Sequence, residues 1–134
     1  MKSDIDIKDD LYEVLSASPL ITGDEKVTGR LSKTLRPLDS ELEDVVVSIR
    51  ANAPTQRQEA TVYVNVYVRD QYIDGQYEED TQRIRTLAQL CLDTLSIISG
   101  QEYYCHLEEQ RVEAAEDGRE HIITNRLTYQ VINE

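Results

Sequence analysis

The chain has 134 residues, 40% apolar and 30% charged, which allows one two-layer core and leaves no room for a separate catalytic or regulatory domain. Its 26 acidic and 14 basic side chains leave a net charge of −12, which opposes gripping a phosphate backbone and disfavours sequence-specific nucleic-acid binding. The apolar positions are periodic, which excludes wholesale disorder, and no stretch approaches the roughly 20 apolar residues of a membrane span.

One domain over residues 1–134 is expected. Met1-Lys2-Ser3-Asp4-Ile5-Asp6 lacks the apolar core of a signal peptide, so the protein is expected to stay in solution inside a cell. An acidic surface suits solubility, a basic protein partner, or a channel wall to which DNA should not stick. Eight tyrosines with no Phe or Trp favour half-buried faces and subunit contacts, since the ring is apolar and its tip polar.

Ser3 or Asp4 can cap a first helix whose Ile7, Leu11, Val14 and Leu15 share one face, with Pro19 marking its end. Residues 22–44, rich in Gly, Ser, Thr and charge, read as a long mobile connection that orders on assembly. A short strand near residues 26–33 and a turn at Arg36-Pro37-Leu38-Asp39 are expected within it. Val45-Val46-Val47-Ser48-Ile49 suits a strand covered on at least part of both faces. A polar connection over residues 52–58, with Pro54 inside it, leads to Val62-Tyr63-Val64-Asn65-Val66-Tyr67-Val68-Arg69, whose strict alternation predicts a strand with the valines buried.

An acidic loop over residues 70–79 carries Tyr72, Gly75 and Tyr77. Ile84, Leu87, Ala88, Cys91, Leu95 and Ile98 then recur every three or four residues, predicting a long helix over residues 81–99 closed by Gly100. Two extended stretches joined through Asp117-Gly118 form a C-terminal hairpin. The expected fold class is α+β: a mainly antiparallel sheet of about four strands, with the long helix on one face and a short N-terminal helix beside it.

No residue set points to a reaction. A two-residue turn at Asp117-Gly118 sets His121 opposite Ala114 and His106 opposite Tyr129, which separates the histidines by roughly 26 Å at about 3.3 Å per residue, too far to share a metal. Cys105 and His106 are strand neighbours whose side chains leave opposite faces, a poor nucleophile–base pair. Cys91 and Cys105 are expected to be reduced and buried. Phosphate loops and nucleophile elbows are absent from the sequence, so no catalysis, cofactor or metal is expected. Recognition is expected in the irregular segments 70–79 and 22–44. Tyr72 and Tyr77 would anchor in a neighbouring subunit, and Arg69 and Arg36 would pair with acids across the junction.

The order of a capped helix, a long connection, strands with Val45-Val46-Val47-Ser48 and Val62-Tyr63-Val64-Asn65-Val66-Tyr67, one long helix and a hairpin resembles the tail terminator or tail-completion family of long-tailed bacteriophages. The similarity extends to His106-Leu107-Glu108-Glu109-Gln110, the turn at Asp117-Gly118 and the closing Arg126-Leu127-Thr128-Tyr129-Gln130-Val131. The resemblance implies a structural virion subunit, assembled in the bacterial host cytoplasm as a ring, usually a hexamer. The ring would cap the tail tube, meet the head-side connector and let DNA pass through. Head-completion proteins of the neck share this architecture. Other classes are a small acidic inhibitor that mimics DNA and a small enzyme.

Overall fold

The computed structural model describes residues 1–53 and 57–132; Pro54, in the expected 52–58 connection, lies outside them. Helix α1 runs Asp4–Ser16. The Ser3 hydroxyl accepts from the Asp6 amide and the Asp6 carboxylate from the Ser3 amide, so two amides that the first turn leaves without partners are satisfied. Its Ile7, Leu11 and Leu15 are fully buried. Pro19 does not simply end this helix but opens a second, α2 (Pro19–Thr22), where its fixed φ suits the first turn.

Eight strands follow with one further helix: β1 (Leu31–Lys33), β2 (Val45–Ala53), β3 (Glu59–Arg69), β4 (Gln71–Ile73), β5 (Gln76–Glu78), α3 (Thr81–Leu95), β6 (Ile97–Ser99), β7 (Tyr103–Ala114) and β8 (Glu120–Val131). Among the described residues six strands form one curled, mixed sheet in the order β1-β2-β3-β8-β7-β6. It is antiparallel except where β1 lies parallel to β2, while β4 and β5 form a separate two-stranded ribbon.

The expected fold class is therefore corrected. The sheet has six strands, not about four, it is mixed, strand makes up 43% of the described residues, and the helices are short. The predicted 81–99 helix stops at Leu95, because the Ser96 hydroxyl turns back on the Leu92 carbonyl and the β-branched Ile97-Ile98 pair enters the sheet beside β7. Ile98 fits the helical stripe by spacing and is buried as a strand residue, so helical spacing alone does not reveal the break. Gly100 caps no helix; a Cβ there would lie 2.1 Å from the Tyr103 ring, and the glycine lets that ring pack against the backbone.

The valine alternation reports its face correctly. Val62, Val64, Val66 and Val68 are buried in one cluster with Ile84, Leu87, Cys91 and Leu95 of α3 and Ile7, Leu11 and Leu15 of α1. Asn125, on β8, is a polar group within this row; its amide donates to the Val64 carbonyl at 3.0 Å and its oxygen accepts from Gln110 at 2.8 Å. Among the described residues the opposite face carries no helix. There Tyr63, Asn65 and Tyr67 are half-buried, with Arg50 over the Tyr63 ring and Arg36 4.1 Å from the centroid of the Tyr67 ring.

The C-terminal hairpin starts in the expected register, Ala114 opposite His121, but a bulge at Glu108 shifts it by one. His106 therefore faces Thr128, not Tyr129, and the Glu108 carboxylate contacts both, at 2.8 and 2.9 Å.

The 22–44 connection is not a mobile strap awaiting a partner, because buried ion pairs fasten it to the sheet and to α3. Arg83 of α3 grips the Glu43 carboxylate through two nitrogens at 2.7 and 2.8 Å and also donates to the Lys26 carbonyl. Gly29 is required by close approach, since a Cβ there would stand 2.2 Å from Asp44 Oδ1 and 2.5 Å from the Glu43 carbonyl oxygen.

Candidate assembly surfaces

Segment 70–79, expected to be an irregular loop, is a tight hairpin. Asp74 and Gly75 both take positive φ, 50° and 84°, as a two-residue turn between twisted strands demands, and Tyr72 is set directly across from Tyr77. The two rings meet edge to face at 5.0 Å. Tyr72 is 66% exposed, Ile73 41% and Tyr77 40%, so the ribbon presents an aromatic and aliphatic surface that its own domain leaves uncovered.

The base of this ribbon is fixed. The Asp70 amide donates to the Arg119 carbonyl at 2.9 Å, His121 Nδ1 contacts the Asp70 carboxylate at 2.6 Å, and His121 Nε2 stands 3.6 Å from Glu79. Arg119 lies over the Tyr77 ring at 5.2 Å, joining the ribbon to the turn between β7 and β8. A rigid base beneath an exposed apolar tip reduces the ordering cost that a flexible loop would meet on docking.

The two arginines singled out with the tyrosines differ in setting. Arg69 is half-exposed, 3.8 Å from Glu41, in a polar groove of about 430 Å³ that also contains Asp117 and Arg119. Arg36 is committed within its own subunit. Its guanidinium donates to Asp44 at 2.8 Å, to both Glu120 oxygens at 2.8 Å and to the Leu42 carbonyl at 2.7 Å. Burial opposes the charge on Arg36, but the Glu120 and Asp44 carboxylates outweigh it and raise its pKa. Tyr72, Tyr77 and Arg69 thus share one end of the molecule, whereas Arg36 works beneath that surface.

Sequence reasoning passed over three exposed leucines. Leu35, Leu38 and Leu42 are 77%, 93% and 53% exposed on the segment that Arg36 holds. Their spacing resembles a helix face, but Pro37 and the positive φ of Thr34 and Asp39 make the segment a series of turns. At the other end, Tyr129 donates its hydroxyl to Asp10 and stacks on Tyr103 at 4.8 Å; Lys2 reaches the same carboxylate at 2.7 Å beside a cleft of about 590 Å³. Burial, followed by the Asp10 contact, pushes the Tyr129 hydroxyl well above the usual phenol range.

Cys91 and Cys105 are free and fully buried, and burial pushes both thiols up to about 12. Among the described residues no group of three or more His, Cys, Asp or Glu is arranged to hold a metal ion. No helix among them is long and apolar enough to cross a membrane.

No protein-family model matches the sequence, and no curated protein matches it. Among solved structures the fold is similar to a chain of the virion of a native gene transfer agent particle. The TM-score is 0.53 at 12% identity, covering 92% of each chain, so the likeness is one of fold over nearly the whole domain.

Proposed function

We propose that this chain is a structural protein of a phage-type virion that works by contact rather than catalysis. In this reading it assembles as a ring, with six copies as the expected number, at the end of the tail tube, where it joins the tube to the head-side connector and lets DNA pass. The observation that carries the reading is the end-to-end likeness of fold to a virion chain. The Tyr72–Tyr77 ribbon supports it, being an exposed apolar surface on a hydrogen-bonded base. The net charge of −12 suits a wall that meets DNA without capturing it.

A DNA mimic would present regularly spaced, unengaged acids on one face. Here Glu43, Asp44 and Glu120 are buried against arginines of the same chain. The test is to mix the protein with tail tubes and image the ends. Capped ends support the proposal, and Tyr72→Ala with Tyr77→Ala should lower capping while the monomer stays folded. Bare ends, with tight binding to a nuclease or other DNA-binding protein, would move the function to mimicry.

A further inference from the structure

The six-stranded sheet has two open flanks of opposite charge. On one, β1 covers only Val45–Val47 of β2, and the rest of β2 makes no backbone hydrogen bond on its outer side among the described residues. On the other, β6 covers β7 only at Tyr104–His106, leaving β7 open from Glu109 to Ala114.

Strands β1 and β2 contain no acidic residue, and their flank carries the exposed cations Arg30, Lys33 and Arg50, of which Lys33 is paired with Asp9 of α1 at 2.6 Å. The open part of β7 carries Glu109 and Glu113, with Arg111, 3.8 Å from Glu113, its single cation. Each flank also has a bulge at a charged residue, Arg50 on β2 and Glu108 on β7. Bulges and charges on edge strands suppress indiscriminate pairing. Because the signs differ, each flank repels its own kind and accepts the other.

Apolar surface accompanies the charges. Beside β1 lies a groove of about 790 Å³ bordered by Tyr12, Ile21, Leu31 and Leu35, and on β7 the Val112 side chain is 42% exposed. Contact between different patches of identical subunits is head-to-tail, and it closes into a ring when the rotation allows. Resting on the ring reading above, we infer that the positive β1–β2 flank of one subunit docks on the negative β7 flank of the next copy, with Val112 against the groove beside β1. The charges set the partner and the order of subunits, and the apolar contact supplies area.

Charge reversal tests this in the full chain. Arg30→Glu with Arg50→Glu makes both flanks negative; Glu109→Arg with Glu113→Arg makes both positive. Light-scattering mass should show each variant as a 15.4 kDa monomer where the wild type forms rings. Mixing the two should restore rings, as should all four changes in one chain, because every junction is then again between opposite signs. Rings that persist in either double variant, or fail to return in the mixture and the fourfold variant although circular dichroism shows folded protein, overturn the inference while the ring reading stands. A wild type that forms no ring, free or at tube ends, overturns the ring reading and the inference with it.

Discussion

Replacing Arg36 with Ala removes the cation between two carboxylates that are nearly sealed from water. The side chain of Arg36 is 17% exposed, that of Asp44 1% and that of Glu120 7%. Exposed ion pairs contribute about 0–1 kcal/mol, whereas stripping one partner from a buried pair costs roughly 3–5 kcal/mol because a charge is left without compensation. The partial exposure of Arg36 places the expected loss near the lower end, about 3 kcal/mol. At about 2.1 cal/mol/K of unfolding entropy per residue, a chain of this length loses roughly 3–4 °C per kcal/mol, so Tm should fall by about 10 °C. Arg36→Lys should recover only part of this, since a point charge cannot grip Asp44, Glu120 and the Leu42 carbonyl together.

The assay is urea unfolding followed by circular dichroism, repeated across pH. Burial pushes the Asp44 carboxyl up, but hydrogen bonds from Ser40, Arg36 and the Arg30 amide more than offset it and hold the group below its ordinary 3.8. A folded-state pKa below the unfolded one contributes stability that is present above pH 3.8 and is lost as pH falls through the lower, folded value. Arg36→Ala should flatten that acid-side loss. A change of less than about 1 kcal/mol with an unaltered pH profile would refute the clamp, since that is the cost of an exposed pair.

Gly29→Ala should destabilise by about 1–3 kcal/mol, because its Cβ meets backbone at Glu43 as well as the Asp44 side chain; a neutral effect in urea unfolding would show that this turn can shift. Asn125→Ala removes the side-chain donor to the Val64 carbonyl and one of two acceptors of the Gln110 amide, which keeps the Ala88 carbonyl, and a loss of about 1–3 kcal/mol is expected by the same assay. Neither cysteine should react with a thiol reagent at neutral pH until the protein unfolds, since both are fully buried with thiols held near 12; stoichiometric labelling of native protein would contradict this.

Local pattern was legible where one period dominates. The alternation of β3 and the faces of α1 and α3 could be read directly, because each residue's burial depends on its place along a single element. Element ends are harder: Ile98 satisfies both a helical stripe and a strand, and the two-residue turn expected at Asp117-Gly118 is a longer loop closed by the Ala115 amide on the Glu120 carbonyl, whereas the same dipeptide at Asp74-Gly75, in the expected loop, makes the tight turn. The bulge at Glu108 escaped notice because it depends on what sits across the ladder. The setting of Arg36 was least accessible, since Glu120 lies 84 positions away and only the closed sheet brings the two together. Tyr72 and Tyr77 stand out for their chemistry, and the structure adds that they face each other across a two-stranded ribbon.

The central claim is that copies of this chain form a closed ring that seats on a tail tube. Electron microscopy of the purified protein mixed with tail tubes, joined to a solution mass for the particles, tests it most directly. The proposal predicts annular particles of a single subunit number, with six expected, and the same annuli at tube ends; compact monomers or dimers and unchanged tubes would contradict it.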